Sequence, residues 1–77
     1  MFNEMFIQLN GKKSLTIENY KNILDYRDNL ILIQGKTDTV KLTGRDFVID
    51  YFTHESMGVT GTLEKVEFLN MGKNNRR

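Results

Sequence analysis

Apolar residues recur along this chain at every second position, in short runs cut by polar turn signals. That is the period of a strand with one face in a core. The clearest case spans residues 30–43. Leu30-Ile31-Leu32-Ile33 is short, branched and bounded by Asn29 and Gly35, which favours strand over helix. Val40 and Leu42 alternate with Lys41 and Thr43. A two-residue turn at Lys36 and Thr37 sets Ile33 opposite Val40 and Ile31 opposite Leu42, with all four on one side.

The other runs follow in order. Residues 4–9 read as a strand with Met5, Ile7 and Leu9 on one parity. A turn at Asn10-Gly11-Lys12-Lys13 leads to a strand at 15–18 that pairs with the first. Asn19 allows a bend. Residues 20–26 fit a helical turn through Tyr20, Ile23 and Leu24, or an alternation through Tyr20, Leu24 and Tyr26. Their short length and strand-like neighbours favour strand. Arg27-Asp28-Asn29 is a polar turn, and Gly44-Arg45-Asp46 is a predicted break. Residues 47–52 follow, with Phe47, Ile49 and Tyr51 on one face and Asp46, Val48 and Asp50 on the other. After a loop at Thr53-His54-Glu55-Ser56, residues 57–69 read as one long strand. Its apolar positions change parity between Leu63 and Val66, which calls for a bulge or bend near Glu64-Lys65.

The expected fold is therefore all-β: a small antiparallel β-sandwich or barrel-like meander of about seven short strands. Residues 1–70 form a single domain, and residues 71–77 a polar, flexible tail.

Composition narrows the chemistry. The chain has 77 residues and no Cys, so no disulfide reinforces its small core. One His rules out a structural zinc site built from Cys and His. The net charge is +1, but Lys73, Arg76 and Arg77 lie together at the C-terminal end. Residues 1–72 hold eight basic and ten acidic side chains, a net of −2. No basic face that would track phosphates emerges, so no nucleic-acid partner is expected. The apolar start is short and interrupted by Asn3 and Glu4, unlike a signal peptide, and no run is long enough to span a bilayer. The expectation is a soluble, intracellular protein with no direct membrane insertion.

Candidate reactive groups do not assemble into a site. Ser14 and Ser56 both fall at turns, and Ser56 lies near His54 without a third group to orient the pair. Asp46, Asp50, His54 and Glu55 could ligate a divalent metal, but Val48 and a turn interrupt the set, and a solvated acidic edge is the better reading. The glycines follow no phosphate-cradling pattern. Tyr20, Tyr26, Phe47, Tyr51, Phe52 and Phe68 could stack bases, but without a basic groove they read as core. No catalytic residue, cofactor or metal is expected.

One resemblance adds to this. Ile17-Glu18-Asn19-Tyr20, Ile23-Leu24-Asp25-Tyr26, Ile31 and Ile33 are followed in order by Leu42-Thr43-Gly44-Arg45-Asp46-Phe47 and by Thr60-Gly61-Thr62-Leu63-Glu64-Lys65-Val66-Glu67-Phe68. This ordered set resembles the YabP/YqfC family of sporulation proteins, the YqfC-like branch more than the YabP branch. The resemblance implies a small non-enzymatic all-β protein of the mother cell in endospore-forming bacteria. It also implies protein–protein contacts in spore assembly and a membrane-associated sporulation protein as partner. The alternative is a small β-module that binds a ligand or single-stranded nucleic acid.

The candidate interface is Leu30, Leu32, Lys41 and Thr43. If Ile31 and Ile33 face the core, Leu30 and Leu32 point away from it, and leaving each in water forgoes roughly 1.5–3 kcal/mol. A homodimer that covers this face is the expected solution. The tail gives a separate prediction. Deleting residues 72–77 changes thermal stability by less than about 1 kcal/mol, a few degrees in a melting experiment, because those residues bring almost no apolar side chain.

Overall fold

The computed structural model describes residues 4–69. The tail expected at 71–77 lies outside them. The alternating runs become six strands: β1 (Phe6–Asn10), β2 (Ser14–Glu18), β3 (Asn22–Arg27), β4 (Leu30–Gln34), β5 (Thr39–Phe52) and β6 (Ser56–Leu69). All pairings are antiparallel, and no helix occurs among the described residues. The expected pairing of β1 with β2 is present, with Ile7 opposite Ile17 and Leu9 opposite Leu15. In the β4–β5 hairpin Ile33 pairs with Val40 and Ile31 with Leu42, as the alternation requires. The ambiguous run at 20–26 supplies β3. Its imperfect alternation comes from a bulge at Leu24, since Ile23 pairs with Ile33 and Asp25 with Leu32.

The strands form one open sheet in the order β1-β2-β6-β5-β4-β3. A flat sheet would leave both faces in water, yet Ile17, Ile31, Ile33, Val40, Leu42 and Met57 are wholly buried in one cluster. The sheet is therefore folded over on itself, and the smallest extent of the molecule, 19 Å, fits two layers. One layer holds β1, β2, the first part of β6 and the last part of β5. The other holds β3, β4, the first part of β5 and the last part of β6. Only β5 and β6 run through both.

The fold line lies where β5 and β6 lose register. Leu63 and Lys65 face Gly44 and Thr43, which leaves Glu64 as the extra residue of the bulge expected there. On β5 the extra residue is near Asp46, whose φ of 60° is left-handed. The break expected at Gly44-Arg45-Asp46 is thus a bulge inside one continuous strand, which leaves six strands among the described residues. The chain does not need to end the strand there, because new acceptors take its donors. Gly44 and Phe47 N–H groups donate to Asn29 and Asp28 carbonyls in the β3–β4 turn. In the same way Gly61 and Leu63 N–H groups donate to Lys13 and Lys12 carbonyls in the β1–β2 turn. Each short hairpin therefore clasps one long strand at its bend.

A further bulge at Asp50 corrects the expected face of Tyr51. Ile49 pairs with Val59, but Tyr51 pairs with Gly58, so Tyr51 leaves the face it was expected to share with Phe47 and Ile49. Its ring lies against Gly58 and is half exposed.

The bend also depends on the space beside Phe47. Its buried ring lies over Gly44 and Gly61. A Cβ on Gly44 would collide with the Thr62 carbonyl oxygen and stand 2.7 Å from Phe47 Cζ. Gly61 has φ of 138° and would place a Cβ 2.8 Å from both the Asp46 carbonyl oxygen and Phe47 Cδ1. Gly44→Ala should therefore cost about 2–3 kcal/mol, lowering the melting temperature by roughly 10 °C or more. Gly11→Ala, at a turn with open space around it, should cost only about 1 kcal/mol. Thermal denaturation of the two variants checks this contrast.

Candidate functional site

Of the residues weighed for catalysis and metal binding, His54, Glu55 and Ser56 sit in and beside the loop between β5 and β6, while Ser14 opens β2 opposite Thr60. Thr53 organises that loop: its hydroxyl accepts from the N–H groups of Glu55 and Ser56 at 3.3 and 3.1 Å. The Thr53 N–H donates to the Ser56 carbonyl at 2.7 Å. His54 and Glu55 project into solvent 3.9 Å apart. Asp46 occupies the bulge at the fold line, and Asp50 lies 3.5 Å from the Thr60 hydroxyl. No cluster of metal-ligating side chains forms among the described residues. The loop is tied down by the β2–β3 connection, which extends the β2–β6 ladder by one bond. Asn19 N–H donates to the Glu55 carbonyl at 2.7 Å, and the buried Tyr20 hydroxyl donates to the Thr53 carbonyl.

The four residues expected to form an interface are brought together. Leu30 pairs with Thr43 and Leu32 with Lys41 on the outer face of the β4–β5 hairpin. The two leucines are half-buried rather than exposed. Across the register their neighbours are Arg27 and Asp25 on β3, and beyond Lys41 and Thr43 come Glu67 and Lys65 on β6. Arg27 and Lys41 stand beside the leucines in the register, where long stems can cover apolar surface while their charges stay wet. Asp25 pairs with Arg27 at 3.3 Å and Glu67 with Lys65 at 3.6 Å, so the leucine strip lies between two charged borders.

The larger exposed apolar surface lies elsewhere, at a side of the sandwich that the sequence reading did not single out. Ile7 and Leu9 follow Ile17 and Leu15 onto the core face of one layer, and Val66 and Phe68 follow Leu42 and Val40 onto the core face of the other. All four sit at the layer margins, and the layers gape between them. The result is an apolar groove of about 380 Å³ lined by Met5, Phe6, Ile7, Leu9, Val66 and Phe68. Two signals point to it in hindsight: the absence of charge from Met5 to Gly11, and the parity change that turns Val66 and Phe68 inward.

The opposite side is closed. Tyr26 on β3 reaches across to the other layer, donating to the Phe47 carbonyl at 3.4 Å and accepting from the Ile49 N–H at 3.3 Å. The six aromatics expected in the core thus divide. Tyr20 and Phe47 are buried, whereas Tyr26, Tyr51, Phe52 and Phe68 are 45–66% exposed. Tyr26 and Phe68 lie on edge segments, Phe52 ends its strand, and Tyr51 is displaced by the Asp50 bulge.

A model of the YabP family matches residues 3–75, nearly the whole chain. The chain belongs to the YabP family. The match covers both hairpins and the bent long strands, and is consistent with a sporulation protein. No curated protein and no solved structure matches the chain. No helix of this YabP-family chain is long and apolar enough to cross a membrane among the described residues.

Burial holds the Tyr20 phenol above its ordinary pKa of 10.0. The folded state therefore keeps a neutral phenol where the unfolded chain ionises. This stabilisation is full below about pH 10 and is lost as pH rises through the folded value. Tyr20→Phe leaves the Thr53 carbonyl without this donor and should cost about 1–2 kcal/mol at neutral pH. The variant should also lose stability less steeply above pH 10 than the parent, measured by denaturation across alkaline pH.

Proposed function

We propose that this protein is a non-enzymatic sporulation protein that acts in spore assembly through protein–protein contacts. The family match over residues 3–75 carries this reading. In the proposal the protein works in the mother-cell cytoplasm and contacts a membrane-associated sporulation protein. It uses no catalytic residue, cofactor or metal. The outer face of β4–β5 suits the partner contact. Leu30 and Leu32 supply apolar area, and the flanking Asp25, Arg27, Lys65 and Glu67 supply charges of both signs for register and selectivity.

The second reading is a stacking module for single-stranded nucleic acid, favoured by the exposed Tyr51 and Phe52. Their charged sequence neighbours Asp50 and Glu55 oppose phosphate, which favours the first reading.

The experiment replaces the gene in an endospore-forming bacterium with the Leu32→Glu form and compares it with a deletion. Loss of the protein should lower the count of heat-resistant spores. The Leu32→Glu protein should accumulate and keep its strand-type circular dichroism, yet fail to retain a membrane-fraction protein that the parent retains from sporulating cells. Normal spore counts in the deletion strain overturn the reading. Salt-sensitive retention of the purified protein on single-stranded DNA supports the second one instead.

A further inference from the structure

Among the described residues, folding one sheet into two layers leaves four strand edges without a ladder partner, and three of them are protected. The β3 edge carries a bulge at Leu24 and the charges of Asp25 and Arg27. The edge of β5 beyond its bend is capped by the Tyr26 hydroxyl. The edge of β6 beyond its bend carries Glu64, Lys65 and Glu67. These are the usual devices against strand addition. β1 has none of them. Among the described residues it pairs with β2 alone, in unbroken register, and Phe6-Ile7-Gln8-Leu9-Asn10 includes no charge and no proline. The apolar groove opens along the same strand.

We infer that β1 pairs antiparallel with β1 of a second copy of this chain, about a two-fold axis at Gln8, joining two folded sheets edge to edge. Residues directly opposed in an antiparallel pair point to the same face, so an allowed register must oppose residues of equal parity. Centring on Gln8 does this and uses all five residues of the strand. Gln8 meets its symmetry mate, Ile7 meets Leu9, and Phe6 meets Asn10. Ile7 and Leu9 of both copies then form one apolar cluster on the core face, at the margin where each copy's groove gapes. The outer face places two neutral amides together at the axis, where they can hydrogen-bond. The strand is thus complementary to itself in core-face apolar pairing, charge and hydrogen bonding, which is what an isologous contact requires. The inference is independent of the role in sporulation, because it concerns an edge of the fold and a property of the purified chain.

The test places like charges on the axis. Gln8 is exposed and on the outer face, so Gln8→Glu and Gln8→Lys leave the core untouched. The parent chain should sediment as a dimer at micromolar concentrations, with a melting temperature that rises with protein concentration. Each variant alone should self-associate at least about tenfold more weakly. An equimolar mixture of the two should dimerise again, because opposite charges then meet at the axis. A parent that stays monomeric overturns the inference and leaves the edge to another segment of the chain or to a partner of different sequence. So does a dimer that both variants retain at full strength. A dimer lost in Leu32→Glu but kept in both Gln8 variants also overturns it, placing the contact on the β4–β5 face.

Discussion

The structure depends on bending two paired strands without cutting them. β5 and β6 each cross from one layer to the other, and a regular ladder cannot turn that sharply. Extra residues at Glu64 and near Asp46 break the register, and glycine at 44 and 61 lets the backbones and the Phe47 ring approach. Bending would strand buried backbone donors, which is costly. The carbonyls of Lys12, Lys13, Asp28 and Asn29 receive them, so the two short hairpins hold the bend as well as extend the layers. A chain of this size has too little core to tolerate such losses, which explains why small changes at the fold line should weigh more than changes on the surface.

The same bend decides where the surfaces available for contact lie. A closed barrel has no edges, whereas a sheet folded once has two open sides. Tyr26 links the layers on one side through two hydrogen bonds. On the other side nothing equivalent joins β1 to β6 among the described residues, and core-facing side chains of both layers meet water. The molecule therefore exposes apolar surface along that margin. Its polar loop at 53–56 is an internally bonded turn, with Thr53 satisfying the backbone around it.

Membership of the YabP family is consistent with a sporulation protein, and the proposed reading is that it works by what it touches. Two surfaces with different characters serve that reading. The leucine strip of β4–β5 lies between charged borders, which suits a selective contact with a different protein. The uncharged β1 edge is complementary to itself, which suits a contact between like chains. A protein with both could dimerise and still present one partner-binding face per copy.

Alternation, turn residues and the parity change before Val66 were enough to determine an all-β chain, the pairing of β1 with β2, the β4–β5 register and the bulge at Glu64, because these follow from the two-residue period of a strand. The same patterns brought Leu30, Leu32, Lys41 and Thr43 onto one outer face. Local pattern could not tell whether Gly44-Arg45-Asp46 ended a strand or bent it. That depended on the Asp28 and Asn29 carbonyls waiting across the fold. Nor could it foresee that Leu24 and Asp50 would bulge, since an extra residue is defined only against the strand it opposes. The exposure of Phe68, Leu9 and Tyr26 was likewise settled in three dimensions. Each has the residue type and parity of a core position, but burial depends on what the opposite layer places over it, and at the margins of a sheet folded only once that layer comes to an end.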